Sequence, residues 1–258
     1  MSAFDAWAEY YDLIHRGLPG EAEFYVGQAV RKQARTLELG CGTGRIAIPI
    51  TLSGVDVVGV DNSLPMLQRC RDNEAAVGHG EGRLDLICGD MAEIKLGCRF
   101  EMILMAYRTF MHLLTPERQR QCLANVRDHL TDTGLFIMNV WAARPSNIAP
   151  LLGDCSEPIE VDRFPLDDPN ETVVHYYAAE YDEFNQILQE ENILDTVNAS
   201  GEVLVSDSLP MTRRWLTYPE MANLLQGCGF AVEAVFGDFA CNPISAASIE
   251  MIWVLRRA

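Results

Sequence analysis

Glu38-Leu39-Gly40-Cys41-Gly42-Thr43-Gly44 follows a short apolar run that begins at Thr36 and precedes Arg45-Ile46-Ala47. Glycines at alternate positions open backbone conformations closed to other residues and let a bound molecule approach the main chain. The stretch therefore reads as a strand-to-helix turn built around a ligand. Outward from it, apolar runs at residues 36–39, 55–60, 84–88, 102–106 and 135–140 alternate with longer amphipathic stretches. That rhythm is the signature of a parallel sheet wound with helices. Continuous apolar runs imply strands buried on both faces.

The intervening helices carry their own punctuation. Ser63 caps a helix that has Pro65 in its first turn, with Leu64, Leu67 and Cys70 on one face. Thr115-Pro116 opens a second, with Leu123, Val126 and Leu130 inward and Gly134 as its stop. Pro49 lies inside the first expected crossover helix, which predicts a bend there. After Trp141 the prolines 145, 150, 158, 165 and 169 punctuate a polar stretch, and alternating segments follow at 172–181 and 202–208. This predicts an antiparallel β insertion. The winding pattern resumes where Thr217 and Glu220 stand at capping-box spacing, before Met221, Leu224, Leu225 and Cys228 and two last strands at 230–236 and 249–255. The expected organisation is a core over residues 1–141 with an N-terminal helical segment, a β-rich insertion over 142–214 acting as substrate lid or dimer contact, and the rest of the core over 215–258.

Composition bounds the partners. Lys plus Arg number 20 and Asp plus Glu 37, so the net charge is −17, which repels nucleic acid and anionic membrane surfaces. Hydrophobic residues make up 48% and charged residues 22%, as in an ordinary folded protein. No segment reaches the ~18 consecutive apolar residues of a membrane helix, and the acidic N-terminal stretch lacks a signal-peptide core. The eight cysteines (41, 70, 88, 98, 122, 155, 228 and 241) form no C-x-x-C pair and have no histidine at ligand spacing, so no metal site is expected. Most of them sit in apolar runs, as reduced thiols of a cytoplasmic protein do.

The glycine spacing discriminates between cofactor classes. A dinucleotide site wants G-x-G-x-x-G, so that pyrophosphate meets the helix N-terminus, whereas this chain reads G-x-G-x-G. Glu38 adds negative charge beside the turn, which opposes pyrophosphate and suits a sulfonium cofactor whose amino group it can meet. Asp61 ends the next strand, where a carboxylate can accept hydrogen bonds from both hydroxyls of a ribose. The run 37–44, Asp61 and the pair Asp90-Met91 after the third strand together resemble the motifs of class I S-adenosylmethionine (SAM) methyltransferases of the small-molecule N/O type. The resemblance covers roughly residues 10–114 plus the final helix and strands. It implies a Rossmann-like, doubly wound, seven-stranded, mostly parallel α/β sheet whose last strand is antiparallel.

By that resemblance Gly40, Gly42 and Gly44 line the cofactor, Asp61 holds its ribose, Asp90 faces the adenine amine and Met91 packs near the ring. Tyr11 closes over the methionyl carboxylate, and Glu38, Cys41, Asn62, Met66 and Ala106 complete the expected cofactor-binding set. The segment Tyr107-Arg108-Thr109-Phe110-Met111-His112-Leu113 lacks the Asn/Asp-Pro-Pro-aromatic motif that DNA and protein amide methyltransferases tend to carry, and instead resembles small-molecule N- or O-methyltransferases. His112 is the candidate to receive an acceptor proton, and Arg108 the candidate to pair with a substrate carboxylate. Tyr176, Tyr181, Arg213, Arg214 and Trp215 are candidate wall residues in the insertion. Two rivals stay open at this point: a SAM-binding scaffold without turnover, and a nicotinamide-dependent oxidoreductase.

Overall fold

Leu37 and Leu39 of β1 (Thr36–Leu39) are each 1% exposed, and they place the first strand in the middle of the sheet that organises this computed structural model. The structure describes residues 2–143, 157–166 and 168–258. Cys155, Pro145 and Pro150, and with them part of the polar stretch expected to open the insertion, lie outside the described residues. By internal contacts the chain divides into two compact units, Met1–Ala142 with Leu216–Ala258, and Ala143–Trp215.

In the first unit, β1 is flanked by β2 (Val57–Asp61) and β4 (Phe100–Met105), with β3 (Leu84–Cys88) beyond β2 and β5 (Leu130–Trp141) beyond β4. These five strands run parallel. β11 (Glu250–Arg257) then pairs antiparallel with both β5 and β10 (Phe230–Phe236), giving the order β10-β11-β5-β4-β1-β2-β3. This is the mostly parallel seven-stranded α/β sheet expected. Helices α2 (Glu21–Lys32) and α3 (Ala47–Leu52) bury Phe24, Tyr25, Ala29, Ala47 and Ile50 against Val57, Met102, Leu104, Ile137 and Ile252 of the strands. Each such aliphatic or aromatic side chain contributes about 1.5–3 kcal/mol by leaving water, which makes this face a main source of stability.

The helix signals hold at their starts. Ser63 accepts from the Met66 amide at 3.3 Å ahead of α4 (Leu64–Val77), and Thr115 accepts from the Arg118 amide at 3.2 Å ahead of α5 (Pro116–His129). Glu220 accepts from the Thr217 amide at 2.7 Å ahead of α6 (Tyr218–Gly227). Their ends hold less well: α5 stops at His129, Leu130 already begins β5, and Gly134 lies within that strand. The bend expected at Pro49 is also corrected. The helix begins at Ala47, so Pro49 sits in its first turn, where a missing N–H costs no intrahelical bond. β3 departs from full burial because it is the edge strand, its residues half-buried and Cys88 exposed.

The second unit is a four-stranded antiparallel sheet in the order β6-β7-β8-β9, made of Ile159–Pro165, Glu171–Asp182, Ile187–Asn198 and Val203–Arg214. The strands β6 and β8 carried no separate signal in the pattern. Leu188, Glu190, Asn192 and Leu194 alternate correctly along β8, but half of its buried face is polar, and that hides the alternation from hydropathy. Among the described residues no helix is long and apolar enough to cross a membrane. Of the seven described cysteines, all free, Cys41, Cys70 and Cys122 are buried while Cys88, Cys98 and Cys241 are exposed, so placement in an apolar run overstated their burial.

Candidate functional site

The carboxyl ends of β1, β2, β3 and β4 share one edge of the sheet, because the strands are parallel. The residues just beyond them are therefore neighbours in space. A cavity of about 290 Å³ opens there, near the lower end of the ~300–1,000 Å³ usual for small-ligand clefts. Its walls include Gly40 from the β1 turn, Asp61 and Asn62 from the end of β2, and Asp90 and Met91 after β3. His112 to Thr115 and Arg118 close another side, and Phe4 of the N-terminal segment reaches it too.

The glycine turn is fixed from below. Gly40 and Cys41 amides both donate to the Val60 carbonyl, at 2.7 and 3.0 Å, and the Gly42 amide donates to Asp61 Oδ2 at 2.9 Å. All three glycines have positive φ, but their surroundings differ. A Cβ on Gly40 would strike Thr109, and one on Gly44 would lie 2.5 Å from Cys70 Sγ, whereas Gly42 faces open space. Gly40 and Gly44 are thus required by packing within the protein, while Gly42 leaves open space beside the main chain.

Asp61 is held by backbone amides. Its Oδ1 accepts from the Ser63 amide at 2.9 Å while Oδ2 accepts from the Gly42 amide at 2.9 Å, and the Asn62 amide adds a further contact. Burial raises its carboxyl above the ordinary range, and the Ser63 and Gly42 amides partly offset that. Asn62 accepts from the Ser2 hydroxyl at 2.7 Å, and Ser63 donates to Asp5 Oδ1 at 2.8 Å, so the N-terminal segment is tied to the same strand end. Met91 presents its carbonyl to Asn125 Nδ2 at 3.0 Å. Cys41, Ala106 and Met66 are buried and do not line the cavity; the Ala106 carbonyl anchors the next turn by accepting from Thr109 Oγ1 at 2.7 Å.

Glu38 lies just inside the turn. It is 2% exposed, its Oε2 has no hydrogen-bond partner, and burial pushes its carboxyl up to about 8, the Arg45 guanidinium partly offsetting this. Arg45 is held by Glu21 at 2.6 Å and lies 4.4 Å over the Tyr107 ring, yet its Nε is also buried without a partner. The phenol of Tyr11, at the start of the short helix α1 (Tyr11–Ile14), is raised by desolvation and lowered by the same Arg45. A buried acceptor and a buried donor left open in one neighbourhood fit the ammonium and carboxylate of the methionyl part of SAM. Orphaned polar atoms of this kind are costly unless something pairs with them.

A carboxyl held at about 8 in the folded chain binds more protons than its unfolded counterpart between about 4.5 and 8, so the free protein loses stability as pH rises through that window. An ammonium docked on Glu38 favours the ionised form and reverses the shift. Binding of S-adenosylhomocysteine at pH 7 is expected to release close to one proton, read as calorimetric heats that differ between buffers of different ionisation enthalpy. Heats that do not depend on buffer, or a Glu38→Gln variant that still releases the proton, would remove Glu38 from the methionyl site.

The segment after β4 is strained. Tyr107 and Arg108 both adopt left-handed φ, at 51° and 65°, a conformation that costs about 1–3 kcal/mol per residue unless the surroundings impose it. Here they do. The Tyr107 amide donates to Asn139 Oδ1 at 2.8 Å and Glu21 Oε1 at 3.1 Å, and Arg108 Nε donates to Glu250 Oε1 at 2.8 Å. Arg108 is thereby turned to a protein carboxylate and does not line the cavity. The 3-10 turn Thr109–His112 that follows brings His112 to the cavity wall, edge-on to Phe4 with ring centres 4.9 Å apart.

In the second unit, Tyr181 stacks on Trp215 at 5.7 Å, Arg213 Nε donates to Glu190 at 2.5 Å and Arg214 to Gln186 at 3.1 Å, while Tyr176 is half-buried. Sequence reasoning missed Phe4, Arg118, Glu21 and Glu250. Only Glu250 left a trace, as an acid directly before the apolar run of the last strand.

Residues 36–134 match the family described as Methyltransferase domain. Over 140 residues the chain is 28% identical to a carboxy-S-adenosyl-L-methionine synthase from Shewanella sediminis, a match that takes in 50% of this chain and 56% of that protein. The chain therefore spans little more than half the length of such curated relatives. It is 26% identical to the cypemycin N-terminal methyltransferase of a Streptomyces species, across 99% of this chain and 98% of that one. Among solved structures it resembles the CcbJ methyltransferase from Streptomyces caelestis, with a TM-score of 0.80 and 26% identity over 100% of this chain and 98% of the other.

Proposed function

From a chain that is a class I SAM-dependent methyltransferase by its fold and its matched domain, we propose that it transfers a methyl group from SAM to a nitrogen or oxygen of a small polar metabolite. The observation that carries this reading is the convergence of Gly40, Asp61 and Asp90 on one cavity at the strand ends. Asp61 offers its carboxylate to the ribose hydroxyls, Asp90 faces the adenine amine, and Met91 packs beside the ring. Glu38 and Tyr11 take the methionyl end, with Gly42 giving the open approach. A scaffold role would need the same binding groups, but it has no use for a titratable side chain among the residues that line the cavity.

SAM, when bound, supplies a methyl group on a positively charged sulfur, an activated leaving group. The task left to the side chains is alignment and exclusion of water. Phe4 and Leu113 provide apolar wall, and His112 stands where an acceptor amine or hydroxyl can pass it a proton. The relative named for N-terminal methylation supports an amine among the acceptors. The acidic balance of the chain, at −17, disfavours polyanionic acceptors.

The test is a methyl-transfer screen over amines, hydroxy acids and phenols, followed by His112→Ala on the best acceptor. The variant is expected to lower kcat by about 10²-fold, the scale of one acid–base group, while S-adenosylhomocysteine affinity changes less than threefold. Equal turnover by variant and parent would return His112 to packing against Phe4. A parent silent on every acceptor while binding cofactor would favour the scaffold.

A further inference from the structure

Arg118 occupies the first turn of α5 and forms part of the cavity wall beside Asp90, a place that the cofactor motifs do not account for. Its Nη2 donates to Asp90 Oδ2 at 2.5 Å, and its Nη1 donates to Glu93 at 2.7 Å and to Gln121 at 2.9 Å. Three acceptors fix the guanidinium. The other Asp90 oxygen, Oδ1, accepts from the Ala92 amide at 2.8 Å. Asp90 is therefore gripped from two sides, and a carboxylate paired in this way offers only acceptor positions to whatever lies in the cavity.

Such a group is selective. A purine whose edge carries an amino group can donate to it, whereas one with a carbonyl at that position sets acceptor against acceptor. A site built to pair a hydrogen-bonding group rejects the analogue that leaves its own polar atoms unpaired. We propose that Arg118 is a positioning residue that sets the nucleobase selectivity of this cavity, by holding Asp90 as a fixed acceptor for an exocyclic amine. The inference rests on the reading that the cavity takes the adenosyl group. Without the guanidinium, the Asp90 side chain, 39% exposed, is free to turn toward water, and that change relaxes the preference. Because both partners are partly solvated, the pair adds little to folding, so its loss reads out in selectivity and not in stability.

The experiment compares the binding of S-adenosylhomocysteine with that of S-inosylhomocysteine, its 6-oxo counterpart, by calorimetry. The parent protein is expected to prefer the amino form by at least about tenfold, the scale of one charge-assisted hydrogen bond. Arg118→Leu is expected to narrow that ratio to about threefold or less with the melting temperature unchanged, and Arg118→Lys to recover part of it. A ratio unaltered in Arg118→Leu, an equal loss of affinity for both ligands, or a parent that does not discriminate would overturn the role assigned to Arg118. A parent that binds neither ligand would instead sink the adenosyl reading itself, which separates the two failures.

Discussion

Asp61→Ala is expected to weaken S-adenosylhomocysteine binding by about 10²- to 10³-fold, the largest loss for any single change at the cavity. Hydrogen bonds to a charged group contribute about 1.5–3 kcal/mol each, and the proposed ribose contact places two hydroxyls on this carboxylate. The substitution also removes the acceptor for the Gly42 and Ser63 amides, at 2.9 Å each, so the glycine turn loses the bond that sets its height against β2. A small drop in melting temperature should therefore accompany the affinity loss. Asp61→Asn keeps one acceptor oxygen and should retain part of the binding. Calorimetry is the measurement, and unchanged affinity in the alanine variant would exclude the ribose role.

Glu250→Ala is expected to cost the largest amount of stability, about 3–5 kcal/mol, because it leaves Arg108 without its acceptor in a buried setting. The carboxyl is 3% exposed, and its other oxygen accepts from Asn139 Nδ2 at 2.9 Å. Burial raises the pKa of its carboxyl above the ordinary range even with the guanidinium beside it, because desolvation outweighs the attraction of Arg108. Its value lies in what it holds. Together with Asn139 and Glu21 it imposes the left-handed pair Tyr107-Arg108, and through that pair it sets where the turn bearing His112 meets the cavity. The melting temperature should fall on the order of 10 °C. Glu250→Gln, which keeps an acceptor oxygen, should lose clearly less. A shift under 2 °C in the alanine variant would show that the strained turn is held by other contacts.

These two residues were not equally legible in the chain. Asp61 announces itself by ending the next apolar run after the glycine loop, and the parallel pairing of β1 with β2 then makes that placement a contact. Glu250 acts on Arg108 across 142 positions, and Glu21 on Tyr107 across 86; no periodicity or cap reports such a meeting. Arg108 shows the consequence. Its charge next to the acceptor segment suggested a partner in the substrate, yet the fold supplies Glu250 first. Likewise Asp90 was readable from its position after β3, while the guanidinium that grips it comes from α5, 28 positions away.

Taken alone, the amino-acid order determined the winding of the sheet, the starts of the helices at Ser63, Thr115 and Thr217, and the turn at 40–44 with its acids at the strand ends. Each depends on backbone geometry and on side chains within a few residues, so the information is local. The end of α5, the edge position of β3, the polar face of β8 and the buried clamp on Tyr107-Arg108 were decided only when distant segments packed. The reason is energetic: a buried charge or a left-handed residue persists only where the surroundings compensate it, and those surroundings are assembled from parts of the chain that share no sequence neighbourhood.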